Sequence, residues 1–113
     1  ELTLLDVCRY FHRASGIGGA AQVVHDLGHK ADVKILARAA EHYENSSVRR
    51  LGYLLERFGH HRKAMALIRF AQQAKSFKTL DPSVRTLVPE LAESEEKDVT
   101  WKLDVNVAVE VDL

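Results

Sequence analysis

The chain has 113 residues, 46% of them hydrophobic, and sets 16 Lys and Arg against 16 Asp and Glu. That length argues for one domain, the apolar content excludes a disordered segment, and the zero net charge removes any whole-chain argument for nucleic-acid or membrane binding. Cys8 is the lone cysteine, so no internal disulfide is available and a reducing cytoplasm is the expected setting. No apolar run approaches the roughly 18 residues of a membrane span. No charged-then-apolar leader opens the chain. Glu1 leads straight into a helical pattern, as expected of a piece of a longer protein.

A first helix is predicted over 2–12, with Leu2, Leu5, Cys8 or Arg9, and Phe11 or His12 along it and the polar Thr3 and Asp6 near its start. Ser15-Gly16-Ile17-Gly18-Gly19 is expected to break it. Three glycines in five residues invite comparison with a phosphate-binding loop. Such a loop follows a strand and carries a Lys-Ser/Thr pair, whereas here a helix precedes and Ala20-Ala21 follow, so a flexible turn is the reading. A short helix then covers about 19–27, with Ala20, Val23, Val24 and Leu27 inward and Gly28 as its stop. Asp32 is placed to cap a third helix over about 33–44, striped by Val33, Leu36, Ala37, Ala40 and Tyr43.

The organising stretch is Ser47–Gly59. Val48, Leu51, Leu55 and Phe58 recur at three- and four-residue spacing, and Leu54 widens the face. Asn45 or Ser46 suits the N-cap, and Gly59 suits a left-handed stop. Gly52 is anomalous, since a glycine inside a helix costs about 1 kcal/mol against alanine. The expectation is a neighbouring helix crossing close at that point. A fifth helix is predicted over about 61–74, with Ala64, Leu67, Ile68, Ala71 and Ala74 on one side.

The period then changes. Trp101, Leu103, Val105, Val107, Val109, Val111 and Leu113 alternate with Lys102, Asp104, Asn106, Ala108, Glu110 and Asp112, the mark of a strand with one dry face. Its expected partner is Phe77–Leu80, stopped by Asp81-Pro82-Ser83. The predicted fold class is α+β: about five helices, then a small antiparallel strand pair, about 77–80 with 100–107. Residues 84–98, with Pro89, Glu90, Glu93, Glu95 and Glu96, read as an exposed loop.

His25 and His29 stand four apart, a spacing that can serve a metal. No glutamate lies between them, Gly28 breaks the helix there, and two surface histidines at a helix end is the preferred reading. His60 and His61 read as a helix start, and Cys8 as a small buried apolar residue. No catalytic residue, metal site or cofactor is expected. Charge offers the better lead. Between 46 and 75 the basic residues Arg49, Arg50, Arg57, Arg62, Lys63, Arg69 and Lys75 face Glu56 alone, while the segment from 90 onward is acidic. That asymmetry fits internal pairing or two binding faces. Arg49, Arg50, Arg57, Arg62, Lys63 and Arg69 are therefore the candidate surface for nucleic-acid phosphates or a partner, weighed against a merely solvated face.

Arg49-Arg50-Leu51-Gly52-Tyr53-Leu54-Leu55-Glu56 resembles the central helix of the C-terminal domain of AbiEi-type antitoxins, from type IV bacterial toxin–antitoxin (abortive infection) systems. Three more segments agree in order: Thr3–Asp6, Ser15–Gly19, and the closing region of Leu80–Ser83, Asp98 and Trp101–Asn106. The resemblance implies a parent protein with an N-terminal winged helix-turn-helix that binds operator DNA and represses its own operon. It implies a functional link to a nucleotidyltransferase-like toxin, and a non-enzymatic C-terminal domain that supplies antitoxin activity. The expected test is charge reversal at Arg50 and Arg57, abolishing rescue from the toxin with the fold intact. The alternative is a small interaction or homodimerisation module that uses an exposed strand edge.

Overall fold

The computed structural model describes residues 2–10, 16–81 and 96–106. Within them lie six α-helices: α1 (Leu2–Tyr10), α2 (Gly16–Leu27), α3 (Val33–Ala40), α4 (Asn45–Arg57), α5 (His61–Met65) and α6 (Ile68–Gln73). A 3-10 turn, Gly28–Lys30, links α2 to α3. Three short strands follow: β1 (Lys78–Thr79), β2 (Glu96–Asp98) and β3 (Leu103–Val105). The class is α+β, as the change of period implied.

The hydrophobic core gathers round α4. Val48, Leu51, Leu54 and Leu55 are fully buried, and they meet Leu5 and Cys8 of α1, Ala21 and Val24 of α2, Leu36 and Ala40 of α3, and Ala64 and Ala71 of α5 and α6. Phe58, counted in the same stripe, is only half-buried against this cluster. On α1 the buried set is Leu4, Leu5 and Cys8, with Arg9 exposed. The side chain of Leu2, and Phe11 and His12, lie outside the described residues.

Several boundaries follow local chemistry. Asp32 caps α3 as expected, its Oδ1 accepting from Lys34 N at 2.9 Å and Ile35 N at 3.0 Å. Gly59 has φ +85° and ends α4 with His60 N donating to Leu55 O and Gly59 N to Glu56 O. This is the paired bonding of a glycine-terminated helix. The α4 start differs from expectation. Asn45 is already helical and Glu44 is the N-cap, without a side-chain cap bond. Asn45 Nδ2 instead donates to Phe70 O at 2.8 Å, tying α4 to α6.

Three of the predicted helices depart from the pattern. The glycine run is not a flexible turn, because α2 begins at Gly16 and holds Gly18 and Gly19 in its first turn. A bond to its first turn comes from far along the chain. Asp81 Oδ2 accepts from Ile17 N at 3.3 Å, and Asp81 is only 3% exposed. A buried carboxylate suits the positive end of a helix. The predicted single helix over 61–74 is two helices. Leu67 N bonds to Ala64 O and Phe70 N to Leu67 O, three-residue steps that tighten the chain at Ala66-Leu67. The tightening lets Ala64, Leu67 and Ala71 all reach the core. The third helix is also shorter than expected, and Val33 in its stripe is exposed.

The sheet order is β1-β3-β2. The expected pairing partners are correct, but their direction is not. β1 runs parallel to β3, with Lys78 opposite Leu103 and Thr79 opposite Asp104. The antiparallel partner of β3 is β2, inside the stretch read as a loop, with Lys97 opposite Asp104. A tight return forces that antiparallel pair. Asp98 Oδ1 accepts from Trp101 N at 2.8 Å, and Lys102 takes φ +54° to complete the reversal. Trp101 sits in this return, not in a strand. Val107, Val109, Val111 and Leu113 lie outside the described residues.

Candidate partner-binding surface

The basic residues of α4 divide sharply. Arg49 is 2% exposed. Its Nη1 donates to Lys102 O at 2.9 Å and Ser76 O at 3.1 Å, with Trp101 O at 3.5 Å. Arg50 donates from Nε and Nη2 to Thr79 O, at 3.1 and 2.8 Å. Together they dock the sheet onto the helices by donating to carbonyls at its edge, Lys102 O being shared with Lys78 N of the β1–β3 ladder. Burial lowers the pKa of both guanidiniums. Arginine starts high enough to keep its charge.

Gly52 belongs to the same contact. The feature crossing α4 there is the ring of Trp101, not the neighbouring helix expected. A Cβ on Gly52 would overlap Trp101 Cζ3 and Cη2. Trp101 is 1% exposed, and its Nε1 donates to Glu56 Oε2 at 2.8 Å. A buried indole normally needs such a partner for its N–H.

The other predicted site residues lie elsewhere. Arg57 is exposed on the last turn of α4 and rims a surface hollow of about 210 Å³ with Tyr53, Glu56, Asp98 and Trp101. Arg62 is exposed on α5. Lys63 Nζ donates to Gly28 O at 2.8 Å. Arg69 pairs with Glu41 at 2.9 Å and lies over the Phe70 ring. The helix break separates Arg62 from Arg69, so they do not share one helical face. Arg69 instead faces Lys34 and Arg38 of α3 across an open groove of about 560 Å³ floored by Ala37 and Ala66. Sequence reasoning missed Lys34 and Arg38. Their four-residue spacing on one helix was the available signal.

His25 Nδ1 lies 3.1 Å from Asp26 Oδ1, and its ring meets Phe58 edge-on at 5.5 Å. Among the described residues no group of three or more His, Cys, Asp or Glu is arranged to hold a metal ion. Cys8 is fully buried, and burial pushes its thiol up to about 12, with Arg50 opposing. A thiol so placed is not a ready nucleophile. No helix among the described residues is long and apolar enough to cross a membrane.

A family model described as the AbiEi antitoxin C-terminal domain matches residues 1–57, just over half of the chain. The chain belongs to the AbiEi antitoxin C-terminal domain family. No curated protein and no solved structure matches it significantly. Membership supports an antitoxin and transcriptional-regulator role. On the fold, the AbiEi match takes in α1 to α4, and so the opening segment, the glycine run and the central helix. The sheet that Arg49 and Arg50 hold lies beyond it.

Proposed function

We propose that this AbiEi domain is the antitoxin and regulatory part of a type IV toxin–antitoxin pair. It neutralises a nucleotidyltransferase-like toxin in the cytoplasm without catalysing a reaction. Its parent protein adds a winged helix-turn-helix that binds operator DNA, and the domain assists autorepression. The match of the family model over α1–α4 is the observation that carries this reading. Exposed Arg57 and Arg62 supply the working face, while Arg69 is paired with Glu41 and Lys63 is bonded to Gly28 O.

The test uses a toxin-rescue assay in bacteria. Arg50 is a poor target, because reversing its charge would break its bonds to Thr79 O and confound function with folding. Arg57→Glu with Arg62→Glu removes two exposed charges instead. Loss of rescue with an unchanged melting curve is the expected result. Full rescue by the double variant removes these residues from the site. An adjoining nucleotidyltransferase reading frame in the genome supports the wider assignment, and its absence counts against it.

A homodimer is the second reading. Val99, 74% exposed at the tip of the β2–β3 return, favours it, since a large apolar side chain beside a strand edge suits a contact. Sedimentation that gives a monomer at every concentration excludes it.

A further inference from the structure

We infer that the junction where His60 lies against Gly28, ringed by His25, His29 and Lys63, is an acid-sensitive latch that frees the end of α2 from the α4–α5 corner as His60 takes up a proton. The geometry begins with Gly59, whose positive φ turns the chain back at the end of α4. The turn lays the His60 ring on Gly28, where a Cβ would fall 2.7 Å from His60 Cδ2 and 2.9 Å from Nε2. Leu55 of α4 closes the contact from below, its Cδ2 lying 3.3 Å from the same point. Only glycine admits the ring so near the backbone. Phe58 in the same link receives the edge of His25.

The charges around this contact are one-sided. α5 sends Lys63, whose Nζ is bonded to Gly28 O at 2.8 Å. α2 and the 3-10 turn contribute His25 and His29. Within α2, the 3-10 turn, α4 and α5 the only carboxylates are Asp26 and Glu56. Asp26 is engaged by His25 and Gln22, and Glu56 by Trp101 on the other side of α4. A proton on His60 would therefore sit among cations, partly out of water, with no acid assigned to it. Burial, then Lys63, His29 and His25, hold its pKa below the ordinary 6.5.

The unfolded chain accordingly binds the His60 proton more readily than the folded chain. Stability is highest above about pH 6.5 and falls as pH drops toward the folded-state value. For each pH unit by which folding depresses that value, the folding equilibrium loses about tenfold on full protonation.

Two measurements on the intact chain test the latch. NMR titration should place the His60 ring below the ordinary histidine value, and Lys63→Met should move it upward. Denaturant unfolding from pH 8 to pH 5 should show a weaker pH dependence in His60→Gln than in the wild type, while exposed His61→Gln tracks the wild type. The fold-change lost in His60→Gln should match the depression read by NMR. A His60 titration at or above the ordinary value overturns the inference, even if His60→Gln fails to fold. So does undiminished pH dependence in that variant.

Discussion

The first two turns of α4 and its last turn carry the same residue type to opposite ends. Arg49 and Arg50 point at the sheet and are consumed by backbone carbonyls. Arg57, two turns after Arg50, is exposed beside the hollow over Trp101. Counting basic residues along the chain treats the three alike. The fold distinguishes them by what lies opposite: backbone carbonyls in one place, solvent in the other. A basic stretch thus mixes two jobs, and only the part facing water is open to a partner.

The largest effect expected in this comparison is at Arg49. Replacement by Leu keeps some bulk but removes the donor of Ser76 O and one of the two donors of Lys102 O, which keeps Lys78 N. Losing bonds to a charged donor costs about 2–3 kcal/mol. Relief from burying the charge offsets a part of that. The expected measurement is a lower urea midpoint, reported by the sole tryptophan as its ring leaves α4. Unchanged stability would mean that Arg50 and Trp101 suffice to dock the sheet.

A pair of glycine substitutions sharpens the same contrast. Gly52→Ala places a methyl group into Trp101, an overpacking that costs about 1–3 kcal/mol. Gly18→Ala meets nothing within 4 Å, so helix propensity acts unopposed and should stabilise by about 0.5–1 kcal/mol. Opposite shifts in melting temperature are expected from one chemical change. A tolerated Gly52→Ala would show that the indole can move aside cheaply.

These cases also mark what the sequence made legible. The Asp32 cap, the Gly59 stop and the apolar face of α4 were readable because each depends on neighbours within a turn or two. The α+β class was readable from the change of period at Trp101. The start of α2 was not, because its cap arrives from Asp81, 64 residues away in the chain. The parallel pairing of β1 with β3 was hidden for a similar reason. Nothing in an alternating pattern says which way a partner strand runs. Gly52 was correctly marked as a point of close approach, but a glycine does not name its visitor. At the candidate surface, Arg57 and Arg62 were found as exposed charges. The engagement of Arg49 and Arg50 depended on where Thr79, Ser76 and Lys102 end up, and spacing carries no trace of that.

The smallest expected effect on stability is at Arg57 and Arg62, and its smallness is what gives the rescue assay meaning. Both are exposed, and substitutions at such positions usually shift stability by no more than about 0.5 kcal/mol. Reversing them together should leave the urea midpoint and the tryptophan emission close to wild type. Arg57 is the more exacting member, because it borders the hollow lined by Glu56 and Asp98, and a new glutamate there adds a third carboxylate beside the Trp101 anchor. Destabilisation confined to Arg57→Glu, eased by added salt, would reveal that Arg57 balances those acids and serves the sheet as Arg49 does. The division of α4 would then have to be redrawn one turn later. Neutral behaviour at both positions keeps the last turn of α4 on the open side of the molecule, where loss of rescue can be read as loss of a contact.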